Sequence, residues 1–299
     1  MTSPAVRITN PRTDTSVVKT YVELMKLRIV ELLLITTLPA MVAAAGGWPG
    51  WWLVTATLLG GTMSSAGANA INQAIDSDID GLMRRTRGRP LPTERLSRQA
   101  VVIFGSSLGA AGFFWLWLTT NLLAATLSTV GLLVYVFIYS LWLKRATTQN
   151  IVIGGAAGAV PALVGWAAVN NTVELPAWIM FAIVFFWTPP HFWALAVRYR
   201  EDYERARVPM LPVVVGPRRT LDHMVAYTVV LIGMTLLLYA TGPVGWVYLS
   251  CAVIAGTGFF AGTLAVRDHP EAAMRYFTYS NVYLSVIFVA IAVDVLVLR

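Results

Sequence analysis

Cysteine is almost missing from this chain of 299 residues. The single one, Cys251, rules out an intramolecular disulfide and any cysteine-based zinc site. Histidine is scarce as well, at three, and charged residues make up only 12%. So thin a polar complement cannot cover a soluble domain of this length, which normally needs about a quarter of its residues charged. The first 27 residues are polar and mixed in charge, with no apolar run behind a basic start, so no cleavable signal is expected. They also lack the Arg-rich, acid-poor character of a transit peptide.

Hydrophobic residues fill the gap, at 57%, and they fall in long blocks. A helix of about 20 residues crosses a hydrocarbon core roughly 30 Å thick. Blocks of that kind predict nine spans: 29–48, 50–71, 99–119, 121–143, 150–169, 177–197, 222–241, 244–266 and 276–298. The expected fold class is an all-α polytopic membrane protein, with Cys251 as a small packing residue in the eighth span. Small residues in "GGTMSSAGANA" (60–70) and "GGAAGA" (154–159) are expected to let helices approach closely.

With nine spans, the N-terminus and the loops at 72–98, 144–149, 198–221 and 267–275 share one side. That side holds every Lys and Arg of the 22 except Arg299. The positive-inside rule assigns it to the cytoplasm. The expected organisation is a cytoplasmic tail, 1–27, followed by one transmembrane domain, 28–299, in a bacterial plasma membrane. The net charge of +7 is then a topology signal suited to an anionic leaflet. Nucleic acid is not an expected partner, because no soluble basic domain exists to hold it.

Charge nevertheless gathers at "NQAIDSDIDGLMRRTRGRP" (72–90), with three carboxylates and four guanidiniums. Asn72, Asp76 and Asp80 recur every four residues and so form one row on a helix. Their like charges call for a cation, and Asp and Asn oxygens are the hard donors that Mg²⁺ prefers. Asn72 and Asp80 lie about 12 Å apart along the axis, too far for one closed cage, so bridging through a diphosphate fits better. An Asp80–Arg84 pair on a solvated helix end is the plain alternative, and Asp78 points off the row. Arginines after the row supply the forks that bind phosphate. A second polar stretch, "FFWTPPHFWALAVRYREDYERARVPMLPVVVG" (185–216), sets His191 beside Trp187, Phe192 and Trp193, within a span expected to kink at Pro189 and Pro190. An ionisable residue at that depth is a functional candidate. An aromatic-lined cavity with one imidazole suits a flat macrocycle, as ligand or as packing.

The motif N-x-x-x-D-x-x-x-D followed by M-x-R-T-x-x-R-P-L resembles that of the UbiA superfamily of intramembrane prenyltransferases. The tail Met83–Leu91, together with "PPHFWAL" and "DYERARVPMLPVV", is most similar to the branch that farnesylates haem. The resemblance covers roughly residues 20–295. It implies nine helices around a central cavity that opens toward the cytoplasmic side and the membrane. It implies transfer of a farnesyl group from farnesyl diphosphate to a vinyl group of haem b, with Mg²⁺ as cofactor, haem b as substrate and a downstream haem A synthase as partner. Carried over residue by residue, Asn72, Asp76, Asp80 and Asp202 would bind metal and act in catalysis. Arg28, Arg85, Arg89, Lys144 and Arg198 would hold the diphosphate, while Tyr139, Trp187, His191 and Trp193 would contact substrate. Lys26 is expected to be interfacial. Two departures stand out. The superfamily's second D-x-x-x-D reads Arg198-x-x-x-Asp202 here, and its Y-x-x-x-K element has one extra residue between Tyr139 and Lys144. Transfer to a quinone ring remains an alternative on the same scaffold, and a polytopic transporter is a more distant one.

Overall fold

A computed structural model describes residues 16–298, apart from the side chains of residues 28, 29, 31–33 and 298. Among the described residues all regular structure is helical. A short helix α1 (Val17–Met25) is followed by nine long ones. These are α2 (Leu27–Ala45), α3 (Trp51–Ile75), α4 (Arg98–Thr119), α5 (Leu122–Ala146), α6 (Asn150–Asn170), α7 (Leu175–Arg198), α8 (Pro217–Thr241), α9 (Trp246–Asp268) and α10 (Ala273–Leu298). The seven from α4 onward are long and apolar enough to cross a membrane. In α2 the described apolar part is Leu34–Ala45. The inner half of α3 is more polar, and Ser64, Asn69, Asn72 and Gln73 are buried along it.

Each long helix packs on the next, and α10 returns to α2, so the bundle closes into a ring. Contacts of α2 with α6 and of α7 with α10 cross it. Closure leaves α6 and α7 the most buried and turns much of α4, α5, α8 and α9 outward. One expected boundary shifts. Helix α3 runs past residue 71 to Ile75, which keeps Asn72 helical. The end of the expected tail is also folded: α1 lays Leu24 against Ala70, Ala74 and Val101, with Tyr21 edge-on to Phe104 at 4.9 Å. Helix α7 runs through Pro189 and Pro190 without a break in its helical assignment.

The small-residue runs act as expected. A Cβ on Gly67 would stand 2.6 Å from the carbonyl oxygen of Gly105, so α3 and α4 touch backbone to backbone. Membrane helices cannot gain from excluding water, and van der Waals contact at such range is what draws them together. Gly154 of α6 has another use: a Cβ there would overlap the ring of Tyr139 on α5.

Candidate active site

A cavity of about 600 Å³ lies inside the ring. Its lining includes Asn72, Asp76, Asp80, Arg85, Arg89, Tyr139, Lys144, Trp187 and His191. Those nine expected site residues, on four helices and a loop, are brought to one hollow. The i, i+4 spacing explains the first two: Asn72 ends a turn of α3 and donates through Nδ2 to Asp76 Oδ2 at 2.7 Å. Asp80 continues the row in a short helical turn, Ser77–Asp80.

Cations grip this row. Lys144 donates through Nζ to Asp76 Oδ2 at 2.5 Å. Arg89 donates through one nitrogen to both oxygens of Asp80, at 2.8 and 2.7 Å. The plain Asp80–Arg84 pair does not form: Asp80 belongs to Arg89, and the chain turns back to it because Thr86 Oγ1 donates to the Asp80 carbonyl at 2.9 Å. Asp78 does point away, to a two-pronged pair with Arg145 at 2.7 Å on each oxygen. The Arg145 guanidinium holds its carboxyl below the usual carboxylate range.

The extra residue before Lys144 is absorbed by the backbone. Val134–Leu143 forms a π-helical stretch within α5, whose wider turn repeats at i+5 rather than i+4. The Lys144 N–H accordingly reaches the Tyr139 carbonyl. Ser140 Oγ donates five residues back to the Tyr135 carbonyl at 2.8 Å and accepts from Asn72 Nδ2 at 3.0 Å. Tyr139 and Lys144 therefore face the same cavity despite the altered spacing. Tyr135 lines it too, stacked on Tyr139 with centroids 5.5 Å apart.

Three expected residues are not among the cavity lining: Arg198, Asp202 and Trp193. Trp193 is two positions from His191, which turns it through about 200° to the opposite face of α7. There it meets the Tyr227 ring edge-on at 5.3 Å. Arg198 lies over the ring of Tyr199, 5.7 Å from its centroid. Asp202 is buried in the short helix Arg200–Arg205 and pairs with Arg205. Its neighbour Tyr203 does line the cavity and accepts from Arg85 at 3.2 Å, joining the two long loops. The side chain of Arg28, expected at the diphosphate, lies outside the described residues.

Lys26 belongs to the site rather than to the interface. It lines the cavity and donates to Asn72 Oδ1 at 2.8 Å. Burial, with Arg89 and Lys144 close by, pushes its ammonium down to about 7. Its sequence signal was its place in the basic "KLR" entry, two residues before Arg28.

Asp76 Oδ1 is buried and accepts no hydrogen bond from the described residues, with an Arg145 nitrogen 4.0 Å away. An ionised oxygen left bare in so dry a place is a ligand position for a hard cation. Among the described residues no three carboxylate, histidine or cysteine side chains converge on one point. A cation here would thus need oxygens from elsewhere, as a diphosphate provides. The donor set fits Mg²⁺ shared with an anion.

Deeper in the hollow the lining turns aromatic. The His191 ring is sandwiched between Trp187 and Phe277, with centroids 4.2 Å away on either side. Trp187 and His191, four residues apart, share a face of α7. Ser280 of α10 holds both: its carbonyl accepts from Trp187 Nε1 at 2.8 Å, and its Oγ meets His191 Nδ1 at 2.6 Å. Nothing in the local pattern around Ser280 announced this.

Comparison with known proteins agrees with this geometry. The UbiA prenyltransferase family matches residues 33–287. Protoheme IX farnesyltransferase 2 of Saccharopolyspora erythraea is 50% identical, over 95% of this chain and 88% of its own length. Protoheme IX farnesyltransferase of Mycolicibacterium vanbaalenii is 47% identical, over 92% and 88%. A digeranylgeranylglyceryl phosphate synthase structure superposes with a TM-score of 0.77 at 19% identity, covering 93% of this chain and 98% of that one. A UbiA homolog from Archaeoglobus fulgidus bound to DMAPP and Mg²⁺ gives 0.66 at 16%, covering 92% and 99%. Both structures support the fold alone; the sequence relatives carry the kinship further. This chain belongs to the UbiA prenyltransferase family, within its protoheme IX farnesyltransferase branch.

Proposed function

We propose that this protein transfers the farnesyl group of farnesyl diphosphate to a vinyl carbon of haem b, giving haem O. The observation that carries the reading is one cavity with two chemistries. Its polar part holds Asp76 and Asp80 among Lys26, Arg85, Arg89 and Lys144, and its deeper part is aromatic around His191. A diphosphate needs the first and a flat porphyrin edge suits the second. The 50% identity to relatives named for this activity supports the choice of haem over a quinone ring.

Mg²⁺ held by Asn72, Asp76 and Asp80 would supply Lewis-acid stabilisation to the departing diphosphate. Lys26, Arg85, Arg89 and Lys144 neutralise the remaining oxygens, so charge that builds on the leaving group meets fixed donors. Lys144 and Arg89 hold the two carboxylates until the anion draws these cations onto itself. Lys26, whose ammonium burial pushes down to about 7, is favoured in its charged form by an arriving diphosphate. Tyr135 and Tyr139 wall the hollow beside Lys144 and keep water from the allylic carbon. The terminal vinyl carbon attacks that carbon, and water captures the resulting cation to leave a hydroxyethylfarnesyl chain. Asp202 would act with Mg²⁺, and Arg198 with phosphate or a haem propionate, only on leaving their present partners, Arg205 and the Tyr199 ring. Trp193 backs the wall that carries His191.

In the membrane, the same reading has nine spans, with residues 28–299 as one domain. The site mouth and the basic loops face the cytoplasm of a bacterial plasma membrane, and the product passes to a haem A synthase. The test is mass analysis of haem after incubating the purified protein with haem b, farnesyl diphosphate and Mg²⁺. A hydroxyethylfarnesyl adduct should form, and Asp76→Asn should lower turnover about a hundredfold or more. Adduct formation that survives both Asp76→Asn and chelation would remove the metal from the reaction.

A further inference from the structure

Capture of water leaves one proton without an owner. Asp76 and Asp80 are poor acceptors for it, since the proposed reaction would commit them to Mg²⁺. Among the described residues the one imidazole on the cavity wall, His191, is better placed. The Ser280 hydroxyl donates to the Phe277 carbonyl at 2.7 Å, which uses its single hydrogen. The same Oγ lies 2.6 Å from His191 Nδ1, and the tautomer with its proton on Nδ1 donates to it there. In that tautomer Nε2 keeps its lone pair, has no hydrogen-bond partner among the described residues, and belongs to a ring that lines the cavity.

We propose that His191 Nε2 is the general base that deprotonates the water captured by the farnesylated haem, with Ser280 as the residue that positions it. The assignment rests on the farnesyl transfer proposed above. In that sequence the allylic C–O bond breaks and its electron pair leaves on the diphosphate. The terminal vinyl carbon bonds to the farnesyl carbon, and the inner vinyl carbon becomes cationic. Water oxygen bonds to that carbon while a water proton passes to Nε2, and the imidazolium later releases it to solvent through the cavity. No oxidant or further reactant is needed. Trp187 and Phe277 clamp the ring from both sides and so fix the direction in which Nε2 points.

Two variants test the assignment: His191→Gln removes the base but keeps a polar group, and Ser280→Ala frees the tautomer but keeps the ring. Diphosphate release and the masses of all haem products are followed together with haem b, farnesyl diphosphate and Mg²⁺. His191→Gln should lower total turnover at least tenfold. Of the farnesylated haem that still forms, most should be lighter by one water, because the cation sheds a proton instead of gaining a hydroxyl. Ser280→Ala should shift the product ratio the same way by severalfold, and the double variant should shift it no further than His191→Gln alone. An unchanged hydroxylated share in either variant, whatever the rate, overturns the proposal. So does complete loss of farnesylated haem in both, which would make His191 a residue that only holds substrate. If His191→Gln does not fold, the product ratio of Ser280→Ala decides. Absence of any adduct from the parent protein would instead sink the underlying reaction, and it is read from the same assay.

Discussion

Asp76 carries two demands at once, and Lys144 exposes the conflict between them. One oxygen of the carboxylate is neutralised by the lysine, and the other is buried and bare. Removing one partner of a buried ion pair typically costs about 3–5 kcal/mol, because a charge stays behind without compensation. Lys144→Ala should therefore lower thermal stability in the absence of divalent ions. It should also open Asp76 Oδ2 to a metal. Added Mg²⁺ alone should raise the Tm of Lys144→Ala more than that of the parent, as binding to the folded state stabilises it. Equal shifts in the two proteins would take Asp76 out of the metal site. The acidic row was plain in the sequence because its i, i+4 spacing is local. Lys26, Ser280 and Tyr203 were not, since each reaches the site through contacts 46 to 118 residues away in the chain.

At the scale of elements, glycine has two different roles that substitution should separate. Gly67→Ala would press a methyl group into the Gly105 backbone, which has no flexible end to give way. Helices α3 and α4 would have to part, at a cost of about 1–3 kcal/mol typical of overpacking. Gly154→Ala meets the Tyr139 ring instead, a side chain that can swing into the cavity. The first variant should lose resistance to denaturant with its turnover per folded molecule nearly intact. The second should keep its stability better and lose turnover, roughly tenfold or more, as the tyrosine crowds the substrate. Parallel losses in both would mean that the α5–α6 contact serves packing alone. Helix positions were readable from hydropathy, and all nine long helices overlap the expected spans. The π-helical stretch was not. An extra residue in a motif shows that the spacing differs, but only backbone geometry shows that Tyr139 and Lys144 still face the same hollow.

For the molecule as a whole, electrostatics orders the two ends of the bundle. The loops at 72–98 and 198–221 hold most of the arginines, and Arg85 binds one to the other through Tyr203 and the face of Tyr199. The connections at the opposite end are short and nearly free of basic residues, with Trp48, Trp51, Trp52 and Trp246 exposed around them. Tryptophan rings of this kind favour the bilayer interface, while lysine and arginine resist translocation. Both features support the orientation proposed above, in which an anionic diphosphate would arrive from the cytoplasm while its oily tail stays in lipid. Because the chain has one cysteine, the arrangement can be probed cleanly after Cys251→Ser. Thr172→Cys and Arg87→Cys lie at opposite ends, in exposed connections that the proposed chemistry does not use. A membrane-impermeant maleimide added to intact cells should label Thr172→Cys, and Arg87→Cys only after permeabilisation. The reverse pattern would turn the bundle over, placing the diphosphate site on a face that a cytoplasmic substrate cannot reach without crossing the membrane.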